Sequence, residues 1–330
     1  MSRFEQCGLP IKLMSVLTEV NFNTLYKNIH LGEYQPLMSG YKRNARYSIR
    51  DIRKILNDVY SSHRPLKTSN TVIMDFHFKG GVGKTAFSVA ISVLLSLLNK
   101  KVLLVDADQQ GHASISLGFT HSQKHLTLLD GLKNKLTPQN LILPVFEGLD
   151  CIPANLSLGG IDHFLYKVNE DDRHKILEEY MGSLRQDYDF IIFDTPPNLT
   201  DLNRCIFYFS DMINMVNDLM PESVNSISYI LPELEDTYKK YSKNFPELLI
   251  IPNLYEDRVS SCLEAMTILK NNWGKFMIPD FAIRKSEDFP KAFKEQMPLP
   301  FFCKVNSIAF EDMSVVIREL IRRLSDIQVV

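Results

Sequence analysis

Lys79-Gly80-Gly81-Val82-Gly83-Lys84-Thr85 stands between an apolar run, Thr71–Phe78, and a helical pattern, Lys84–Asn99, whose apolar face uses Phe87, Val89, Ile91, Leu94, Leu95 and Leu98. Strand, glycine-rich loop and helix in that order confine the chain to a layered α/β architecture. Glycines let a backbone curl until several N–H groups point inward, and the following helix N-terminus adds its dipole, so the loop is shaped for phosphate. In that reading Lys84 brings a point charge to the β- and γ-phosphates, and Thr85 brings a hydroxyl to Mg²⁺. The strict G-x-x-x-x-G-K-[ST] pattern misses by one place, because Phe78 stands where the first glycine belongs. The stretch fits the variant K-G-G-x-G-K-T, which adds a second lysine, Lys79. An ordinary glycine turn before a helix is the alternative.

The remaining pattern predicts a doubly wound, mostly parallel sheet. Apolar runs at Val102–Val105, Leu149–Ile152, Phe190–Phe193, Met212–Val216 and Leu248–Ile251 alternate with helical patterns at Asp171–Arg185, Pro221–Tyr241 and Arg258–Asn272. Continuously apolar strands are buried on both faces, and helical crossovers between them make neighbours parallel. Two of these strands end in acids, Asp106-Ala107-Asp108 and Asp194-Thr195-Pro196-Pro197. Ligands collect at the carboxyl ends of such strands. One carboxylate there can hold the water shell of Mg²⁺, and a second can orient an attacking water. A single Asp after a strand is more often a turn residue; three on two strands beside a phosphate loop favour the metal reading.

Charge divides the chain. Residues 1–70 hold 11 Lys+Arg against 5 Asp+Glu, whereas residues 71–330 hold 26 against 34, although the whole carries only −2. A basic piece on an acidic body predicts two domains, 1–70 and 71–330, with the first facing a polyanion and Arg64–Asn70 as the linker. The longest apolar run, Val89–Leu98, is too short and too interrupted by Ser92 and Ser96 to span a bilayer. The first thirty residues lack the apolar core of a secretory signal, so the cytosol is the expected compartment. Five scattered cysteines without a C-x-x-C pair are expected to be free.

Lys79–Thr85, Val105–Ser114 and Ile192–Pro197 together resemble the ParA-type DNA-partition ATPases of the deviant Walker, MinD-like class, over roughly residues 71–330. The resemblance implies an ATPase that cycles between ATP and ADP with Mg²⁺, weak until a centromere-binding ParB-type partner stimulates it. It implies a homodimer sandwiching nucleotide, in which Lys79 reaches the partner's ATP phosphates while Lys84 and Thr85 serve their own nucleotide. Lys79–Ala86 would cradle phosphate, Asp106 and Asp194 would sit with Thr85 near the metal, and Asp108 would position the hydrolytic water. Pro252-Asn253 resembles the adenine-side segment. Departures are Phe78 for a usual polar residue, Gln109 for a usual Pro and His112 for a usual Asn. They bear on how the loop is braced and how fast water attacks.

Near the N-terminus, Leu13–Val20, the turn Asn21-Phe22-Asn23 and Thr24–His30 read as helix, turn, helix, the geometry that lays a second helix in a major groove. Ser39–Tyr47 follows as a basic, aromatic hairpin, and Ser48-Ile49-Arg50-Asp51 as a capping box opening a helix through Tyr60. This resembles the winged helix-turn-helix extension of the larger partition ATPases, which implies operator binding and autorepression. Lys42, Arg43 and Arg46 are candidates for phosphate contact, and Asn23, Thr24 and Lys27 for base edges. An ordinary solvated face is the alternative. ATP-dimer binding to nucleoid DNA without sequence preference would use C-terminal cations, foremost Arg284 and Lys285, with Lys291, Lys294, Arg318, Arg322 and Arg323 also available. Competing readings are a membrane-cycling MinD-like ATPase using the helix Ser314–Ile327, and a nucleotide-sensing transcriptional regulator. The expected location is cytoplasmic and nucleoid-associated.

Overall fold

The structure, a computed structural model, describes residues 3–32, 34–37, 45–61, 70–120, 123–241 and 243–327. A short antiparallel ladder pairs β1 (Leu9–Pro10) with β2 (Arg46–Tyr47). The main sheet has seven strands: β3 (Thr71–Phe76), β4 (Val102–Asp106), β5 (Leu143–Phe146), β6 (Leu149–Ile152), β7 (Phe190–Asp194), β8 (Met212–Asp218) and β9 (Glu247–Asn253). Their spatial order is β5-β6-β4-β7-β3-β8-β9. All neighbours run parallel except β5, which pairs antiparallel with β6 across the Glu147-Gly148 turn.

Alternation along these strands sorts side chains between two cores. Val72, Met74 and Phe76 of β3 face a cluster with Leu202 and Ile206 of the helix Asp201–Phe209 and Ile227 and Ile230 of the helix Pro221–Lys240. Ile73 faces the other side, with the phosphate-loop helix Lys84–Leu97 and the C-terminal helix Ile308–Ile327. Twelve of the fourteen residues of the phosphate-loop helix are buried, which is why its serines, Ser88, Ser92 and Ser96, turn their hydroxyls back to carbonyls of their own helix. Truncating a fully buried leucine there, such as Leu94, would cost about 2–5 kcal/mol.

The helix stays buried because the N-terminal segment covers it. Helices Ile11–Thr18, Phe22–Leu31 and Ile49–Ser61 bury Leu13, Leu25 and Ile52 in the same continuous cluster as Leu94 and Phe310. Glu19, in the left-handed region at φ 59°, ends the first helix, and the Asn21 side chain accepts the Asn23 amide to open the second. Both helices thus begin two residues earlier than the sequence pattern suggests. Ser48 accepts the Asp51 amide at 3.1 Å, the expected cap of the third. Most of the basic hairpin, residues 39–44, and the linker residues 64–69 lie outside the described residues.

Two expectations are corrected. The helix expected over Asp171–Arg185 is broken into Glu170–Arg173, Ile176–Met181 and a 3-10 turn, Gly182–Gln186. The Arg173 carbonyl accepts Cys205 Sγ at 3.1 Å, and the chain tightens there through Lys175 N to Asp172 O. The C-terminal helix starts at Ile308 rather than Ser314, with Ser307 Oγ accepting the Phe310 amide. Edge strand β5 had no sequence signal beyond a short apolar stretch containing Pro144.

Candidate nucleotide site

Gly81 and Gly83 hold φ of 82° and 94°, where a Cβ is strained, and the loop turns on them into the helix that starts at Lys84. A Cβ on Gly83 would also lie 2.5 Å from Asn253 Nδ2. That amide reaches from the end of β9 and donates to the Val82 carbonyl at 2.7 Å. The phosphate loop is therefore braced from the carboxyl end of β9, two strands away, by a residue the sequence suggested for the adenine side. Pro252 contributes its carbonyl, which accepts Ile283 N at 2.8 Å.

A cleft of about 790 Å³ runs over the loop. Gly80, Gly81, Gly83, Lys84, Thr85, Ala86 and Asp108 line one end, and Asn253, Leu254, Ile283, Lys285 and Ser286 another. Val82 is buried beneath. Phe289, Phe293 and His112 add an aromatic wall, with His112 edge-on to Phe293 at 5.4 Å. Lys84 is only 7% exposed. Burial pulls its pKa down, and Asp194 and Asp108 oppose that pull.

Sheet register brings the acids together. Asp106 of β4 sits opposite Asp194 of β7, which sits opposite Asp75 of β3. Asp106 accepts from Ser114 N at 2.8 Å, Ser114 Oγ at 2.6 Å and Asp108 N at 3.2 Å. Asp194 accepts from Ser88 Oγ at 3.1 Å, and its other oxygen is buried without a partner. Burial pushes both carboxyls upward; the neighbouring Asp194 adds to the effect at Asp106, while Lys84 offsets it at Asp194. Two buried acids, one with an orphaned oxygen, beside the Thr85 hydroxyl are a donor set that fits Mg²⁺. The ion would supply charge neutralisation for these carboxylates and for phosphate oxygens; Thr85 and Asp194 would hold it, with Asp106 behind. Asp108 accepts the Gln110 amide at 2.9 Å and lines the cleft.

Three further polar residues were not singled out from sequence. Asp75 is fully buried on the phosphate-helix side of β3, and burial raises its pKa to about 7. Asn214 donates to it at 2.8 Å. His77 accepts the Lys79 amide on Nδ1 at 3.0 Å, and burial first, then Lys84, lowers its pKa to about 4. Asp218 pairs with Lys79 at 3.1 Å. The signal for Asp75 was present, an acid inside an otherwise apolar strand; Asp218 had none.

The suggested DNA contacts fall in different settings. Asn23, Thr24 and Lys27 are exposed along Phe22–Leu31, opposite buried Leu25 and Ile29. Lys42 and Arg43 lie outside the described residues. Arg46 donates to the Gly8 carbonyl at 2.7 Å. Arg284 is forked onto Asp312 and also reaches Glu311 at 2.9 Å, and Lys285 pairs with Glu256 at 2.9 Å at the cleft. Arg318 caps the carbonyls of Val16 and Leu17 and pairs with Glu19, while Arg323 holds Glu247 and Glu319.

A family model described as an AAA domain matches residues 70–246, more than half of the chain. The cell division protein PomZ of Myxococcus xanthus is 28% identical over 252 residues, which span 75% of this chain and 77% of that protein. A ParA family protein of Mycoplasma pneumoniae is 31% identical over 186 residues, 52% of this chain and 67% of that protein. Among solved structures, apo McdA from Cyanothece aligns with a TM-score of 0.67 at 21% identity, covering 76% of this chain and 98% of its own. The sheet order and flanking helices are thus those of a known P-loop ATPase fold.

Proposed function

The chain belongs to the ParA family of P-loop ATPases, and from that premise we propose that it is a DNA-partition switch: ATP with Mg²⁺ closes a homodimer that binds DNA, and hydrolysis, stimulated by a ParB-type partner, releases it. The observation that carries the reading is that Lys84, Thr85 and Asp108 line one cleft, while sheet register sets the buried Asp106 and Asp194 side by side at the carboxyl ends of β4 and β7. Lys84 would balance phosphate charge, and the backbone of Gly80–Lys84 would orient the phosphates. Asp108 would hold the attacking water, and Lys79 would serve the second copy's nucleotide. A preorganised, largely buried set of charges suits phosphoryl transfer, whose catalysis is mostly positioning and charge stabilisation.

Residues 1–70 would read an operator and repress their own operon. The exposed Asn23, Thr24 and Lys27 on a helix that follows a three-residue turn support that reading. Membrane cycling is disfavoured by the C-terminal helix, which spends Phe310, Met313, Val316, Ile317, Leu320 and Leu324 on the core; among the described residues no helix is long and apolar enough to cross a membrane. Sedimentation with ATP, ADP and no nucleotide, combined with salt-dependent binding to random and upstream DNA, tests the proposal. ATP-specific dimerisation with ATP-dependent DNA binding supports it. Vesicle flotation with ATP and no DNA binding overturns it in favour of the membrane reading.

A further inference from the structure

Arg53 leaves the third N-terminal helix and enters a socket at the far end of the phosphate-loop helix. Only 8% of it is exposed. Its guanidinium donates to the carbonyls of Ser96 and Lys100, the latter at 3.1 Å, and lies 4.0 Å from Glu147. Ser96 belongs to the last turn of that helix, where positive charge is favoured by the dipole, and Lys100 lies just before β4. The other wall is Gly148 at φ 98°; a Cβ there would overlap the guanidinium, so the socket exists because residue 148 is glycine. Gly148 in turn accepts Val102 N at 2.9 Å, at the base of the strand that ends in Asp106. Nearby, Asn99 donates to Asn57 at 3.0 Å.

The same arrangement runs in the opposite direction. Arg318 of the C-terminal helix caps Ile11–Thr18 through Val16 O at 2.7 Å and pairs with Glu19 at 3.1 Å. Each half of the molecule thus closes a helix end of the other with an arginine, Arg53 buried and Arg318 partly buried.

We propose that Arg53 is a positioning residue for the nucleotide site: it couples the N-terminal helices to phosphate occupancy by holding the far end of the helix that begins at Lys84 and Thr85. That helix is packed on all sides, so a shift of its N-terminus on closing around phosphate is transmitted along its length rather than absorbed by bending. By linkage, the preference is mutual: nucleotide tightens the N-terminal helices, and an intact socket tightens nucleotide. The inference rests on nucleotide binding from the reading above and is independent of whether the N-terminal helices touch DNA.

The test is amide hydrogen exchange on the full chain with and without Mg²⁺-ADP and a non-hydrolysable ATP analogue, with affinities from calorimetry. In the wild type, nucleotide slows exchange both in 80–90 and in the helices 11–31 and 49–61. Arg53→Met keeps the first effect, loses the second, and weakens nucleotide binding by about fivefold to tenfold. Arg53→Lys, which still donates to the carbonyls, recovers part of both. Gly148→Ala, closing the socket from the other wall, reproduces the Met variant and serves if that protein does not fold. Unchanged exchange in 11–31 of the wild type, or an undiminished remote response in both Arg53→Met and Gly148→Ala, overturns the coupling. No nucleotide binding by the wild type would instead remove the reading beneath it.

Discussion

Lys79 Nζ lies 3.1 Å from Asp218 Oδ2, so the first lysine of the phosphate loop is engaged by an acid at the end of β8 in its own chain. If Lys79 serves a second copy's nucleotide, this pair must open first. Asp218→Asn is expected to lower the ATP concentration needed for half-maximal dimerisation by about threefold, within the about 0.2–1 kcal/mol of a part-exposed ion pair. Sedimentation against ATP concentration checks it, and a requirement for more ATP would count against a restraining role.

Lys84→Ala should abolish nucleotide binding, whereas Lys79→Ala should retain binding and lose ATP-driven dimerisation. Calorimetry and sedimentation on the same preparations separate the two functions. Equal loss of binding in both variants would contradict the division of labour between the lysines.

Asp75 makes stability depend on pH. Its carboxyl is raised from 3.8 to about 7 in the folded chain. Between those values the folded state holds a proton that the unfolded state has released, so stability falls as pH rises from about 4 to 7 and levels off above. Asp106 and Asp194 are also raised, to about 8 and about 6, so Asp75→Asn, which imitates the protonated form, should make this slope shallower without removing it and be more stable than the wild type at pH 8 by about 1–4 kcal/mol. Urea midpoints from pH 5 to 8 without Mg²⁺ measure it. Parallel curves for both proteins would show that Asp75 is not the group responsible.

Asn253→Ala leaves the Val82 carbonyl without its donor, at a cost of about 1–3 kcal/mol for a buried group. The loop should then bind nucleotide at least fivefold more weakly with little change in sheet stability. Calorimetry and thermal unfolding distinguish this from a general loss of fold.

Arg284→Ala should lower stability more than it lowers DNA affinity, because it strands Asp312, whose side chain is 5% exposed. Lys27→Ala should do the reverse: weaker operator binding, a shallower salt slope and an unchanged melting temperature. Fluorescence anisotropy over a salt series, beside melts, decides both. A steep loss of DNA binding in Arg284→Ala with unchanged stability would support it as a DNA contact.

How much of this was legible depended on the range of the interaction. Lys84, Thr85, Asp106, Asp108 and Asp194 could be read directly, because each sits at a strand or loop end that local periodicity marks. The second helix of the N-terminal turn was equally visible, as was the Ser48 cap. The duties of the arginines were not. Arg53, Arg284 and Arg318 look alike in a sequence, as basic residues among polar ones, yet each is committed to carbonyls or carboxylates that arrive from elsewhere in the chain.

The sequence by itself determined the loop, the strand ends and hence the kind of ligand the cleft can hold, since backbone curvature at glycine and the two-residue alternation of strands are local properties. Only the tertiary structure decided which side chains are free to act. Asn253, expected on the adenine side, was given the bracing of Val82, 171 residues away. Asp75 was placed beside the metal acids by sheet register, and the basic N-terminal segment was fixed against the phosphate-loop helix. Those outcomes follow from which buried donors and acceptors must be satisfied once the layers close, and that depends on distant partners which no local pattern encodes.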